Sequence, residues 1–99
     1  MCEFKIIRKN DGAQILEDVV ILSYNEENEL ILKDILGMGE ILKSALILDI
    51  NTMNQKCLIV EHPIIKDFIN LAIKLGEKTA TKSDIDTTIN KLETLNQNL

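Results

Sequence analysis

The cysteine at position two is the residue of this chain best placed to do chemistry. If the initiator methionine is removed from Met1-Cys2-Glu3-Phe4, the chain starts with a free α-amino group beside a thiol. An amine nitrogen and a thiolate sulfur close a five-membered chelate on one metal ion. The deprotonated backbone amide nitrogen of Glu3 can complete the plane. Square-planar, nitrogen-rich sites suit Ni(II) and Cu(II), but a thiolate tends to reduce copper to Cu(I), so Ni(II) is the divalent ion that fits. One chain supplies two or three donors. A four-coordinate site is most simply completed across a two-fold axis by Cys2 of a second chain, which implies a homodimer. The residues also allow a plainer role: strand alternation groups Cys2 with Phe4 and Ile6, as a small apolar side chain closing one end of the core.

The remaining candidates are weaker. Cys57 and the one histidine, His62, are accessory ligand candidates. Alternation along their strand puts Cys57, Ile59 and Glu61 on one face and Leu58, Val60 and His62 on the other, so Cys57 and His62 point apart. Cys57 then reads as a buried small hydrophobe and His62 as the corner before Pro63. Gly37 and Gly39 resemble a phosphate loop only superficially, because a strand and not a helix follows them; a hairpin turn is the expectation. Glu17, Asp18 and Asp34 interrupt apolar runs and read as turn or edge residues in preference to an acid–base pair. No nucleophile–base arrangement can be placed, so the chain is not expected to be an enzyme.

Composition narrows the partners. A formal charge of −5, a pI near 4.8 and only three aromatic residues (Phe4, Tyr24, Phe68) disfavour nucleic acid and anionic lipid. No segment reaches the roughly 18 consecutive apolar residues of a membrane span, and no basic-then-apolar leader opens the chain, so a cytoplasmic protein is expected. Two cysteines are too few for a disulfide framework, and in a reducing compartment both are thiols.

These residues must be positioned by two dissimilar halves. Residues 1–61 alternate short apolar runs with turn clusters: Cys2 to Arg8, Ile15 to Tyr24, Leu30 to Leu36, Ile41 to Ile50 and Lys56 to Glu61. Asp11-Gly12 and Gly37-Met38-Gly39 are the clearest turns. Five short antiparallel strands most economically close into a small barrel, and runs apolar at consecutive positions imply that both faces are covered. At Pro63 the period becomes helical and holds to Gly76, read as a C-terminal cap. A polar linker follows, and Ser83 with Asp86 signals a capping box for a second helix bearing the stripe Ile85, Ile89, Leu92, Leu95 and Leu99. The broader face of the first helix, Ile64, Ile65, Phe68, Ile69 and Ala72, is expected to cover the barrel within its own chain. The domain reading is therefore a barrel over 1–61 and a helical extension over 62–99 that packs on the barrel or on a dimer partner.

Three segments, Met1-Cys2-Glu3-Phe4-Lys5-Ile6, Leu16-Glu17-Asp18-Val19-Val20 and Leu32-Lys33-Asp34-Ile35-Leu36-Gly37, resemble the CooT-type small nickel-binding proteins in order and spacing. The resemblance covers about residues 1 to 61 and implies an SH3-like barrel that dimerises and holds nickel through Cys2. It further implies a storage, delivery or chaperone role with a nickel-enzyme client. The helices beyond Pro63 depart from that pattern. The expectation is thus a mainly β protein, a five-stranded SH3-like antiparallel barrel followed by two helices, acting as a cytoplasmic nickel-binding metallochaperone. Two other readings stand beside it: an RNA-binding small barrel, and a protein-interaction module that uses no metal.

Overall fold

The computed structural model describes residues 2–99. Seven strands and two helices follow one another: β1 (Phe4–Arg8), β2 (Ala13–Val19), β3 (Ile21–Tyr24), β4 (Leu30–Lys33), β5 (Gly39–Leu42), β6 (Ala45–Asn51), β7 (Lys56–Glu61), α1 (Pro63–Gly76) and α2 (Lys82–Gln97). The expected five strands are seven because two runs break. Asp18 takes a left-handed conformation (φ 58°) at the end of β2, and the Val20 N–H already bonds the Lys33 carbonyl across to β4. Lys43-Ser44 likewise separates β5 from β6.

Each break moves the chain from one sheet to another. The strands form a four-stranded sheet in the order β2-β1-β7-β6 and a three-stranded sheet in the order β3-β4-β5. The closed five-stranded barrel is therefore corrected to two open sheets. A second correction concerns direction: β1 and β7 pair in parallel, with Lys5 opposite Lys56 and Arg8 opposite Ile59, whereas a meander would have made every pair antiparallel.

Between the sheets lies the core: Phe4, Ile6, Val19, Leu30, Leu32, Ala45, Cys57 and Ile59. One face each of β1, β2, β4, β6 and β7 supplies it, as the period of two requires, and the partly buried Leu22 and Tyr24 of β3 and Leu42 of β5 pack against it. The outer faces stay open. Leu46, Leu48 and Ile50 on β6 and Ile21 and Ile41 on the smaller sheet are all exposed, so consecutive apolar residues here do not mean burial on both faces. Tyr24 links the sheets. Its hydroxyl donates to the Ala45 carbonyl (2.8 Å) and accepts from the Ile47 N–H (3.3 Å), capping backbone groups on edge strand β6.

Two polar clusters fix the far end of the larger sheet. Asn10 exchanges hydrogen bonds with the Glu61 backbone, donating to its carbonyl (2.7 Å) and accepting from its N–H (2.9 Å). Arg8 bonds Asp11 at 2.8 Å and Glu61 at 3.2 Å, and that guanidinium draws the Asp11 carboxyl down to about 2. The Ser44 hydroxyl donates to the Pro63 carbonyl and accepts from the Lys66 N–H (2.9 Å), so the β5–β6 break seats the first turn of α1.

The helices differ from expectation in three details. Gly76 is the last helical residue, not the cap; the left-handed position falls on Lys78 (φ 61°). The capping box is Thr81 with Asp84, two residues earlier than Ser83 with Asp86. And α1 does not bury its apolar face on the sheets: it leans on β6 and, through Asn70 and Lys66, on Asn28 and Glu29, and none of its residues is fully buried. Among the described residues no helix is long and apolar enough to cross a membrane.

Candidate metal-binding terminus

Phe4 anchors the start of β1. It is buried opposite Val19, while the next strand residue, Lys5, donates its N–H to the Gln55 carbonyl at 2.9 Å. Cys2 and Glu3 precede this anchor and are both exposed. The alternation that would have continued Phe4 and Ile6 inward to Cys2 stops because pairing begins only at Phe4. Cys2 therefore does not close the core, and its thiol is free. Met1, whose removal the amine chelate requires, lies outside the described residues.

The other sequence candidates are separated from Cys2 by their own structural duties. Cys57 is wholly buried on β7 opposite Ile6, and burial raises its thiol above the ordinary value, which holds it in the neutral form that binds metals poorly. His62 is the N-cap of α1, its Nδ1 accepting the Ile64 N–H at 3.1 Å. It follows β7, at the end of the sheet away from Cys2. Of the carboxylates, Glu17 and Asp18 are exposed, and Asp34 accepts from the Leu36 and Met38 N–H groups to shape the β4–β5 turn. Among the described residues no three His, Cys, Asp or Glu side chains gather where they could hold a metal ion.

What remains among the described residues is one accessible thiol with main-chain nitrogens next to it. Cys2 can offer sulfur, and the peptide nitrogen at Glu3 can complete a chelate ring with it, but a saturated coordination sphere needs donors from outside the chain. A partner with the same terminus would supply them.

Sequence reasoning missed the Tyr24 hydroxyl as the pin between sheets, for which a lone tyrosine in an apolar run gave no signal. It also missed the apolar tip at Ile35, Leu36 and Met38, exposed by 65%, 80% and 69%.

Fold and terminus together define a small two-sheet β protein that presents a free thiol ahead of its first strand. A family model described as CO dehydrogenase accessory protein CooT matches residues 1–60, and the chain belongs to that family. Comparison with individually curated proteins returns no match. The family match ends at Val60, just ahead of α1, so both helices lie outside it.

Proposed function

We propose that this chain binds Ni(II) as cargo through Cys2, in a homodimer that brings two such termini together, and carries or stores the metal for a nickel enzyme without catalysing a reaction. The observation that carries the reading is the contrast between the two thiols: Cys2 is exposed ahead of the first strand, and Cys57 is sealed in the core. The family's description as an accessory to CO dehydrogenase supports a nickel-enzyme client. With Met1 removed, amine and thiolate of one chain close a five-membered chelate over two cis positions of a square plane, and the same pair from the second chain fills the other two.

Nickel titration of the Met1-processed protein tests this. Thiolate-to-metal charge-transfer absorption is expected in the wild type and in Cys57→Ser, and is lost in Cys2→Ser. Because thiol and amine must shed protons to bind, affinity rises with pH across neutrality. An unchanged absorption band in Cys2→Ser would sink the assignment.

A further inference from the structure

α1 and α2 form an antiparallel hairpin, fixed by two ion pairs that run in opposite senses along the helices: Lys74 with Asp84 (3.2 Å) near the connection and Asp67 with Lys91 further out. These pairs, with the buried Thr88, mark the line along which the helices meet. With 3.6 residues per turn, Phe68 and Leu75 fall on one flank of that line on α1, and Ile85, Ile89 and Leu92 fall on the same flank of α2. The opposite flank carries Asn70 and Thr87. Ile73 is the exposed apolar residue on that opposite flank, beside Asn70 and Lys66; the first flank carries five, exposed by 45%, 52%, 40%, 43% and 41% in that order.

We propose that this apolar face docks onto the same face of a second copy of the chain about a two-fold axis, making a four-helix bundle. Three observations favour a second copy as the occupant.

The first is surface. A compact monomer of 11.2 kDa exposes about 5,700 Å², whereas this chain exposes 6852 Å². The excess, about 1,150 Å², is shared by the hairpin, the open outer face of β6 and the β4–β5 tip, and is large enough to include the roughly 800 Å² that each partner contributes to a standard interface. The radius of gyration agrees, at 15.4 Å against about 12.6 Å for a compact chain of this length.

The second is charge. Lys82 and Glu93 are exposed on the outer edge of the α2 stripe, at its two ends, and among the described residues neither is in an ion pair. A two-fold axis near Ile89 runs the two α2 helices antiparallel. That places Lys82 of one copy towards Glu93 of the other, and Ile85 against Leu92. A parallel arrangement would oppose like charges.

The third is the helices' own need. α2 spends its inner line on Asp84, Thr88 and Lys91, so most of its apolar stripe is left for another surface, and helices of this length depend on packing to persist. This interface lies at the other end of the larger sheet from Cys2, so it is distinct from the nickel-bridged contact between termini proposed above, which EDTA removes, and it rests on neither nickel nor that function.

Sedimentation of the full chain in EDTA tests it. A dimer is expected for the wild type and for Cys2→Ser, with association weakened at least tenfold towards monomer in Ile89→Asp while circular dichroism keeps the β signal. Lys82→Glu and Glu93→Lys should each weaken the dimer, and the double exchange should restore it, which a merely structural role for either residue would not do. A monomeric wild type, an intact dimer in Ile89→Asp or a dimer lost in Cys2→Ser would each overturn the proposal. The nickel absorption band of Cys2 reads out separately from all of these, so either proposal can fail alone.

Discussion

Tyr24→Phe is the most direct probe of how the two sheets hold together, because it removes one oxygen and leaves the ring in place. That oxygen serves two backbone groups of β6, accepting from Ile47 N–H and donating to the Ala45 carbonyl. Ala45 is fully buried, so its carbonyl gains no easy replacement from water; Ile47 is half-buried and can be partly rehydrated. Leaving a buried polar group unpaired costs about 1–3 kcal/mol. One full and one partial loss therefore total about 2–3 kcal/mol, which for a chain of this size lowers the melting temperature by about 8–20 °C. Thermal melts followed by circular dichroism measure it. Removing the hydroxyl also frees the edge of β6, whose neighbours Leu46, Leu48 and Ile50 are exposed, so the variant should aggregate on heating where the wild type does not. A Tyr24→Phe variant that melts within about 2 °C of wild type would show that the hydroxyl contributes nothing to holding the sheets together.

Three further outcomes follow from the same geometry. A Cβ at Gly39 would meet the Leu32 carbonyl oxygen at 1.9 Å, all rigid backbone, so Gly39→Ala should cost about 3 kcal/mol or more, while Gly76→Ala, with open space around it, should be neutral or stabilising by up to about 1 kcal/mol, both read from urea denaturation followed by circular dichroism. Under native conditions one thiol, Cys2, should react quickly with a chromogenic disulfide reagent, and Cys57 should lag by a factor of about a thousand or more, since it reacts only when the core opens; two equally fast thiols would contradict the buried position of Cys57. Asp11 is held below its ordinary value of 3.8, at about 2, chiefly by Arg8, so its contribution is whole above pH 4 and is lost as pH falls towards 2; Asp11→Asn should flatten that part of an acid denaturation curve and leave the neutral region little changed in shape.

The sequence signalled elements better than their assembly. Pro63 and the helical spacing after it mark α1 at both ends, since proline fits a first turn and the periodicity from Ile64 to Ile73 has no competing interpretation. The apolar runs also fall where strands are found. What could not be read was where a run turns a corner: Asp18 in a left-handed conformation and the Lys43-Ser44 step carry no glycine or proline, yet each transfers the chain between sheets. Parallel pairing of β1 with β7 was equally hidden, because pairing partners far apart in sequence leave no local pattern. At the terminus, the type of Cys2 was visible and its exposure was not; that depended on β1 starting at Phe4. The capping box moved to Thr81 because Thr81 and Asp84 satisfy each other's backbone N–H groups reciprocally, with Lys74 adding a charge that also favours the ionised Asp84.

The parallel pairing has a consequence for function that an antiparallel meander would have reversed. Because Lys5 lies beside Lys56 and Arg8 beside Ile59, the beginning of β1 sits at the beginning of β7. α1 leaves from the end of β7, so Cys2 and the helical hairpin stand at opposite ends of the larger sheet, separated by about five strand residues, or about 17 Å. In an antiparallel arrangement the terminus would have opened beside Pro63, and His62 would have been a natural second ligand; here His62 caps a helix at the other end. The thiol end is thus left clear for a metal and a second terminus, and the end carrying the helices, which the family match does not reach, is left clear for protein contact. Association through the helices would leave both Cys2 thiols of a pair uncovered and each able to meet the terminus of a further chain, so the helix contact and a metal shared between termini use different surfaces.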